Sequence, residues 1–452
     1  MKNSKPLSIR IYLFLLPALL VTACADQLNL ESPLAISSET ALASDQGVKT
    51  ALIGAYQALG SVFWRGRTAI IQELLGNEGD QIASGPIGGL GDVFQKEIFA
   101  QNGYTGTVWN QGYVCLNRCN NVLASLEVVK EQDRARVEAE ARFIRAAVLF
   151  EMVNLYGKTW VDGNPEANPG VPLPLTPTRR IDESLLYPRS TVAEGYEVLI
   201  ADLIFARDNL PEVNDALATT YAASALLSRV FLMQEAFAQA RAEASRVIDS
   251  GRFILLDNFS AVFNQSADTP EDVFAMQNSF QGGSFELIDV YAGRNQGGNG
   301  IILITDAHLE KYEPGDLRQA FFYLDNFSAR RTAKWVQNAG DDGNINIMRL
   351  AEMYLTRAEC HFRLGDPEAA VADLNSVRTR AGLSPLAPEE LDLEGILKER
   401  SLELAFEGHS FRDAKRNQKN IEDISFDADR LVLPIPLWEM DINPNLVQNP
   451  GY

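Results

Sequence analysis

The sequence predicts a mainly α protein: a scaffold of tetratricopeptide-like helical hairpins with a loop-rich insertion that carries short strands. Three observations predict it. Apolar residues recur every three or four positions through most of 42–250 and 347–416, the period of helices that bury one face. In the pair 347–364 and 367–381, Tyr354, Ala358, Gly365, Ala370 and Leu374 fall close to the tetratricopeptide pattern, in which small residues let antiparallel helices approach. Residues 251–346 break that period. They are rich in Gly, Asn, Phe and Tyr and read as loops and short strands, with a helix only near 305–313. The 452 residues divide into a leader (1–23), a tether (24–40) and a single domain (41–452).

Each element follows from local signals. Val48, Leu52, Ala55, Tyr56 and Leu59 lie at helix spacing, with Gly60 as a stop, and 67–76 forms a short helix ending at Gly76. Residues 79–91, glycine-rich with Pro86, form a long loop, and loops of that length in compact proteins tend to carry function. Residues 108–130 and 133–156 pair as helices, the second with an apolar face of Ala139, Phe143, Ala146, Ala147, Phe150, Val153 and Leu155. Six prolines between 158 and 189 forbid regular helix there. Thr191 caps a helix that runs to Asn209, before Pro211. Residues 216–234 and 236–250 form an alanine-rich hairpin, and Gly365-Asp366-Pro367 turns the one at 347–381. The hairpins thus group at about 108–156, 191–250 and 347–416, around the insertion 251–346.

The amino terminus reads as an address. Lys2, Lys5 and Arg10 precede an apolar run from Ile11 to Val21, shorter than the ~20 residues of a membrane-spanning helix and of the length of a signal-peptide core. It ends in Leu20-Val21-Thr22-Ala23-Cys24, which resembles the lipobox of bacterial lipoproteins. That resemblance implies cleavage before Cys24 and acylation of it, and several acyl chains anchor stably where one does not.

Charge narrows the function. Lys plus Arg is 40 and Asp plus Glu 60, a net charge of −20. Loss of residues 1–23 removes Lys2, Lys5 and Arg10 and no acid, leaving −23. Nucleic acid, which needs a basic footprint, is excluded as a partner, as is adhesion to anionic lipid by charge. The three histidines, His308, His361 and His409, form no metal motif. Cys24, Cys115, Cys119 and Cys360 match no zinc spacing. Cys115 and Cys119 share a helix face, as a disulfide or as two buried thiols, and Cys360 is a core residue.

Glu399, Glu403 and Glu407 stand at successive i,i+4 positions of a helix 394–407. A glycosidase needs its two carboxyls on opposite sides of a bond, which neighbours on one helix cannot supply. An ion-pair lattice with Arg400, Arg412, Lys415 and Arg416 is the favoured reading. Asp341-Asp342-Gly343-Asn344 lacks the spaced ligands of an EF-hand, so no cofactor is expected and a structural calcium has no support beyond that oxygen-rich turn. No catalytic residue and no metal ligand is assigned. Aromatics in loops are the better lead, because flat rings stack on the C–H faces of sugars while polar side chains bond the rims. The expected ligand residues are Trp64, Asp80, Gln81, Phe94, Tyr104, Phe285, Tyr291, Arg294 and Trp335, with Phe63, Arg65 and Phe280 beside them; Trp109 and Trp438 are expected in the core.

The carboxyl-terminal segments IMRLAEMYLTRAECHFRLGDPEAAVADLNSVRTRA (347–381), ILKERSLELAFEGHSFRDAKR (396–416) and LPIPLWEMDINPNLVQNPGY (433–452) resemble the hallmark segments of the SusD/RagB family of outer-membrane nutrient-binding lipoproteins. Trp109, Tyr113, Asn117 and Asn120 resemble its W-x-x-x-Y-x-x-x-N helix, and 140–157 resembles the helix that follows. The sequence departs from the family at Ser410-Phe411-Arg412. The resemblance implies a tetratricopeptide scaffold and a non-catalytic protein on the outer surface of the outer membrane, anchored in its lipid through acylated Cys24. It implies capture of glycans, or alternatively peptides, for a SusC-like TonB-dependent transporter. It carries no ligand residue over, since the family's motifs are scaffold. The competing readings are a secreted glycan hydrolase, with Asp80 and Glu286 or Asp289 as its best candidate pair, and a protein-binding scaffold.

Overall fold

The computed structural model describes residues 38–84, 87–179, 183–278, 285–337 and 343–452. The leader, Cys24, most of the tether, Phe280 and Asp341-Asp342 lie outside them.

Sixteen helices occur among the described residues. α1 (Ser38–Ala41) leads into α2 (Asp45–Ser61), whose first turn is capped by the Ser44 hydroxyl accepting from Gly47 N. A wide helical turn, Phe63–Arg67, joins α2 to α3 (Thr68–Leu75); Gly66 at its corner has φ +123°, where Leu287 leaves no room for a Cβ. α4 (Gly89–Gln95) and α5 (Gly103–Leu123) follow. Then come α6 (Glu131–Tyr156), α7 (Val192–Asn209), α8 (Thr220–Met233) and α9 (Phe237–Ile248). Short α10 (Glu286–Tyr291) and α11 (Asp306–Leu309) belong to the insertion. α12 (Leu350–Arg363), α13 (Pro367–Arg380), α14 (Leu393–Glu403), α15 (Ser410–Arg416) and α16 (Leu437–Ile442) close the chain.

From α5 to α9 each helix packs on the next. The chain then leaves for the insertion and returns with α12 packed directly on α9. The insertion therefore interrupts the chain but not the stack, the arrangement expected where each helical pair buries its apolar face against a neighbour. Thr191 and Glu194 form a reciprocal capping box at the start of α7, as Thr191 predicts.

The expected strands of the insertion are present. β1 (Gln81–Ala83), from the glycine-rich loop, pairs antiparallel with β3 (Ile302–Ile304), Ile82 opposite Leu303. β2 (Asp272–Met276) pairs with β6 (Ile345–Arg349), and β4 (Phe322–Leu324) with β5 (Arg330–Thr332). The helix expected around 305–313 is the single turn α11.

Four expectations need correction. α5 begins at Gly103, five positions before the expected 108, with the Asn102 side chain accepting from Tyr104 N and Thr105 N. Glycines at 103, 106 and 112 hide that start, since glycine is a poor helix former. Gly106 is there because the Trp438 ring lies where its Cβ would be, 2.2 Å away. Trp438 is consequently a surface residue, 38% exposed, while Trp109 is buried as expected. α14 stops at Glu403, so Glu407 is not on its face; the chain turns at Phe406, φ +67°. Cys115 and Cys119 are two buried free thiols, as is Cys360.

The fourth correction concerns the ion-pair lattice, which exists with other partners. Glu399 bonds Arg318 and Arg378; Glu403 bonds Arg349 and Arg380 at 2.5 Å each and Arg318 at 3.3 Å; Glu407 bonds Lys334 and Arg349. All are buried. These cations come from β6, α13 and the insertion, elements that sequence neighbourhood does not reveal. Arg412 instead pairs with Glu151 of α6, and Arg416 with Glu359 of α12. Arg400 bonds Asp413, and Lys415 lies 3.8 Å from Asp162.

Candidate functional site

A polar cleft of about 320 Å³ opens where the end of α3 and the turn before β1 face α11, α14 and α15. Its walls need that convergence. Gly76, the cap of α3, approaches α15 so closely that a Cβ would sit 2.4 Å from Phe411 N. Glu73, the last acid of α3, reaches across and its Oε1 accepts from Gly408 N (2.7 Å), His409 N (2.9 Å) and Ser410 N (3.4 Å), the free amides at the start of α15. Burial raises the Glu73 carboxyl to about 7, despite those three donors.

Asp80 and Gln81, two expected ligand residues, both line this cleft. The turn that presents them is fixed by Asn77, which accepts from Gln81 N (3.0 Å) and donates to Gln81 O (3.1 Å). Asp80 bonds Lys311 (2.6 Å) and lies 3.6 Å from His308 Nδ1. Burial works to raise the Asp80 carboxyl, but His308 and Lys311 outweigh it and hold it below its usual value. Burial also lowers the basicity of His308. Glu394, Lys398 and Ser401 of α14 and Asn417 and Lys419 form the opposite wall. The cleft thus offers hydrogen-bond donors and acceptors of both signs, and Asp80 is already engaged by a cation.

The other expected residues are placed elsewhere. Tyr291 is fully buried and donates to Gln81 Oε1 (2.8 Å), so these two meet, but beneath the surface. Trp64, 4% exposed, is edge-on to Phe143 and Phe274. Trp335 is likewise buried, edge-on to Phe263 with Nε1 donating to Phe406 O (3.1 Å). Phe63 and Phe285 are buried. In this structure those rings are core side chains, their faces covered by protein. Phe94 is half-buried against the core. Tyr104 is half-buried under Arg67, whose guanidinium lies 4.4 Å from its ring centroid and bonds Glu286 (3.0 Å). Arg65 lies over Phe285, and Arg294 is exposed in a short turn, Arg294–Gln296. Glu286 is held by Arg67 as Asp80 is by Lys311, which leaves the hydrolase reading without an uncommitted pair. Glu73, His308, Lys311 and Lys398 were not foreseen: three separate segments, α3, α11 with the turn after it, and α14, bring them together. Among the described residues no group of three His, Cys, Asp or Glu side chains is placed to hold a metal ion.

Two family models match the chain: residues 66–232 match that of starch-binding proteins associating with the outer membrane, and residues 314–428 that of the SusD family. Over both stretches the chain is similar to the SusD/RagB family. A SusD-like protein of Formosa agariphila, P2, is 26% identical over 97% of this chain and 99% of that one. A SusD superfamily protein of Bacteroides thetaiotaomicron superposes with a TM-score of 0.83 at 26% identity, covering 90% of this chain and 100% of its own. A Bacteroides vulgatus protein provisionally assigned as sugar-binding gives 0.82 at 26%, covering 90% and 99%. The helical stack and the strand-bearing insertion are therefore the SusD fold. The RLAE and ELAFEG segments supply Arg349, Glu352, Glu403 and Glu407, whose side chains are buried in ion pairs.

Proposed function

We propose that this SusD-like chain is a cell-surface lipoprotein that captures glycans without cutting them and delivers them to a SusC-like TonB-dependent transporter. The observation that supports it most is the extent of the likeness: relatives and structures of the family align over nearly the whole chain, one of them provisionally assigned as sugar-binding. The polar cleft at Asp80, Gln81 and Lys311 is the proposed place of capture, with donors and acceptors that suit hydroxyl rims. The leader and Cys24 supply the anchor in this reading; no described helix is long and apolar enough to cross a membrane.

The test is a polysaccharide panel on native affinity gels with reducing-end assay in parallel. Retention of at least one glycan without release is expected. Release of reducing ends would overturn the binding-only reading, and no retention of any glycan would overturn glycan capture. Cys24→Ala should move the protein from the membrane fraction to the soluble fraction, and pull-down from solubilised outer membranes should bring the transporter with it.

A further inference from the structure

A buried cation joins the two walls of the cleft. Lys96 directly follows α4, and its ammonium donates to Asn77 O (3.2 Å) and to Glu422 Oε2 (3.1 Å). Asn77 is the residue whose side chain fixes the turn to Gln81, and with it the presentation of Asp80 and Gln81. Glu422 belongs to the other side. It stands at the corner of a tight turn, φ +54°, closed by two hydrogen bonds between Ile421 and Ile424. The segment that leads into this turn carries Asn417 and Lys419 of the opposite wall. Lys96 thus reaches from the turn of one wall to the segment of the other.

Its setting points to position as what this lysine supplies. Lys96 is 2% exposed, and a buried ammonium is tolerated where acceptors meet it. Its backbone is left-handed, φ +57°, at a helix end where glycine is the usual choice and other residues are uncommon. A residue held in such a conformation points to a role for its side chain. The carboxylate partner, by contrast, is 46% exposed, and ion pairs open to water add little to global stability. What the two bonds do is fix the separation of Asn77 and Glu422, and through them the separation of the two polar walls.

We propose that Lys96 is a positioning residue for the cleft, a strut that sets the spacing of the walls between which a glycan is held. The proposal rests on the reading of the cleft as the place of capture, but one arm of its test needs no ligand. Amide hydrogen exchange of the full-length protein, read by mass spectrometry, is compared for wild type, Lys96→Met and Glu422→Ala. Lys96→Met keeps the aliphatic stem and removes both bonds. Glu422→Ala removes one bond at a half-exposed position and should leave the thermal midpoint unchanged. Exchange should quicken about tenfold in both 77–84 and 417–426 for Lys96→Met, and in 417–426 alone for Glu422→Ala, while α5 to α9 exchange as in wild type. The second arm uses native gels cast with amylopectin, xylan, galactomannan or pectin. Whichever of these wild type retains should be held about tenfold more weakly by both variants. Unchanged exchange in both segments, or retention by both variants equal to wild type, overturns the proposal and leaves glycan capture standing. Faster exchange throughout the helical stack also overturns it, because that marks general loosening. If wild type retains none of the four, glycan capture fails, and the exchange arm still decides whether Lys96 spaces the walls.

Discussion

Replacing Glu403 by Gln removes one charge from the centre of the buried lattice while keeping shape and one acceptor. In the folded chain Glu403 Oε1 receives Arg349 and Arg380 at 2.5 Å, and Oε2 receives Arg318 at 3.3 Å. Glu403 is fully buried, and Arg349, Arg380 and Arg318 are nearly so. Glu271 is then left to answer both Arg349 and Arg380, and Glu407 both Arg349 and Lys334, so three cations face two carboxylates in a dry interior. Breaking a buried pair by removing one partner costs about 3–5 kcal/mol. With an unfolding entropy of ~2 cal/mol/K per residue for a domain of this size, that is a fall of roughly 3–6 °C in the thermal midpoint. The assay is thermal and urea unfolding followed by circular dichroism, with Glu212→Gln, whose ion pair with Arg252 is exposed, as the comparison. The direction with pH is also fixed. Burial works to raise the Glu403 carboxyl, but Arg380, Arg349 and Arg318 outweigh it and hold it well below the usual range. A depressed carboxyl stabilises above its unfolded pKa of about 4.3 and loses that contribution as pH falls toward the folded value. The gap between wild type and Glu403→Gln should therefore narrow below about pH 4. Equal midpoints for Glu403→Gln and Glu212→Gln at pH 7 would refute the reasoning.

Trp64→Ala should lower stability by about 3–5 kcal/mol, as truncation of a buried aromatic does, whereas exposed Arg294→Ala should leave the midpoint unchanged; a Trp64→Ala protein of wild-type midpoint that fails on the affinity gel would return Trp64 to the ligand site. Glu73 has a folded pKa raised from 4.5 to about 7, so the fold disfavours its charged form. The wild type should lose roughly 3 kcal/mol between pH 4.5 and pH 7 through this group, and Glu73→Gln should flatten that part of the stability curve measured by urea titration. Gly106→Ala places a Cβ against the Trp438 ring; Trp438 fluorescence should shift to the red as its ring is pushed into water, with little change in helix content by circular dichroism.

How far the sequence reveals the molecule differs by element, for physical reasons. α7 is legible to the residue because Thr191 and Glu194 encode its start through their own side chains. The hairpin α12–α13 is legible through Asp366, which caps α13, and Gly365, φ +83° in the turn. The start of α5 is not, because Gly106 makes room for Trp438, more than three hundred residues away. The cleft shows the same divide. Asp80 and Gln81 stand out in a glycine-rich loop, and the structure does place them on its wall. Trp64, Tyr291 and Trp335 look alike in sequence, since a ring in an irregular segment reads the same whether it faces solvent or the core. Burial there is decided by Phe143, Phe263, Phe274 and Phe406, contacts made across the fold.

The last twenty residues do more than end the chain. Asn449 donates to Tyr156 O and Leu433 O, and Arg189 bonds Asn449 and Val447 O, while Glu73 waits for the amides at Gly408 and His409. Contacts between α3 and the start of α15 mean that Glu73 lacks its partners until Gly408 and His409 have been made. Such long sequence separations slow folding. A chain truncated before Gly408 should stay open to proteases.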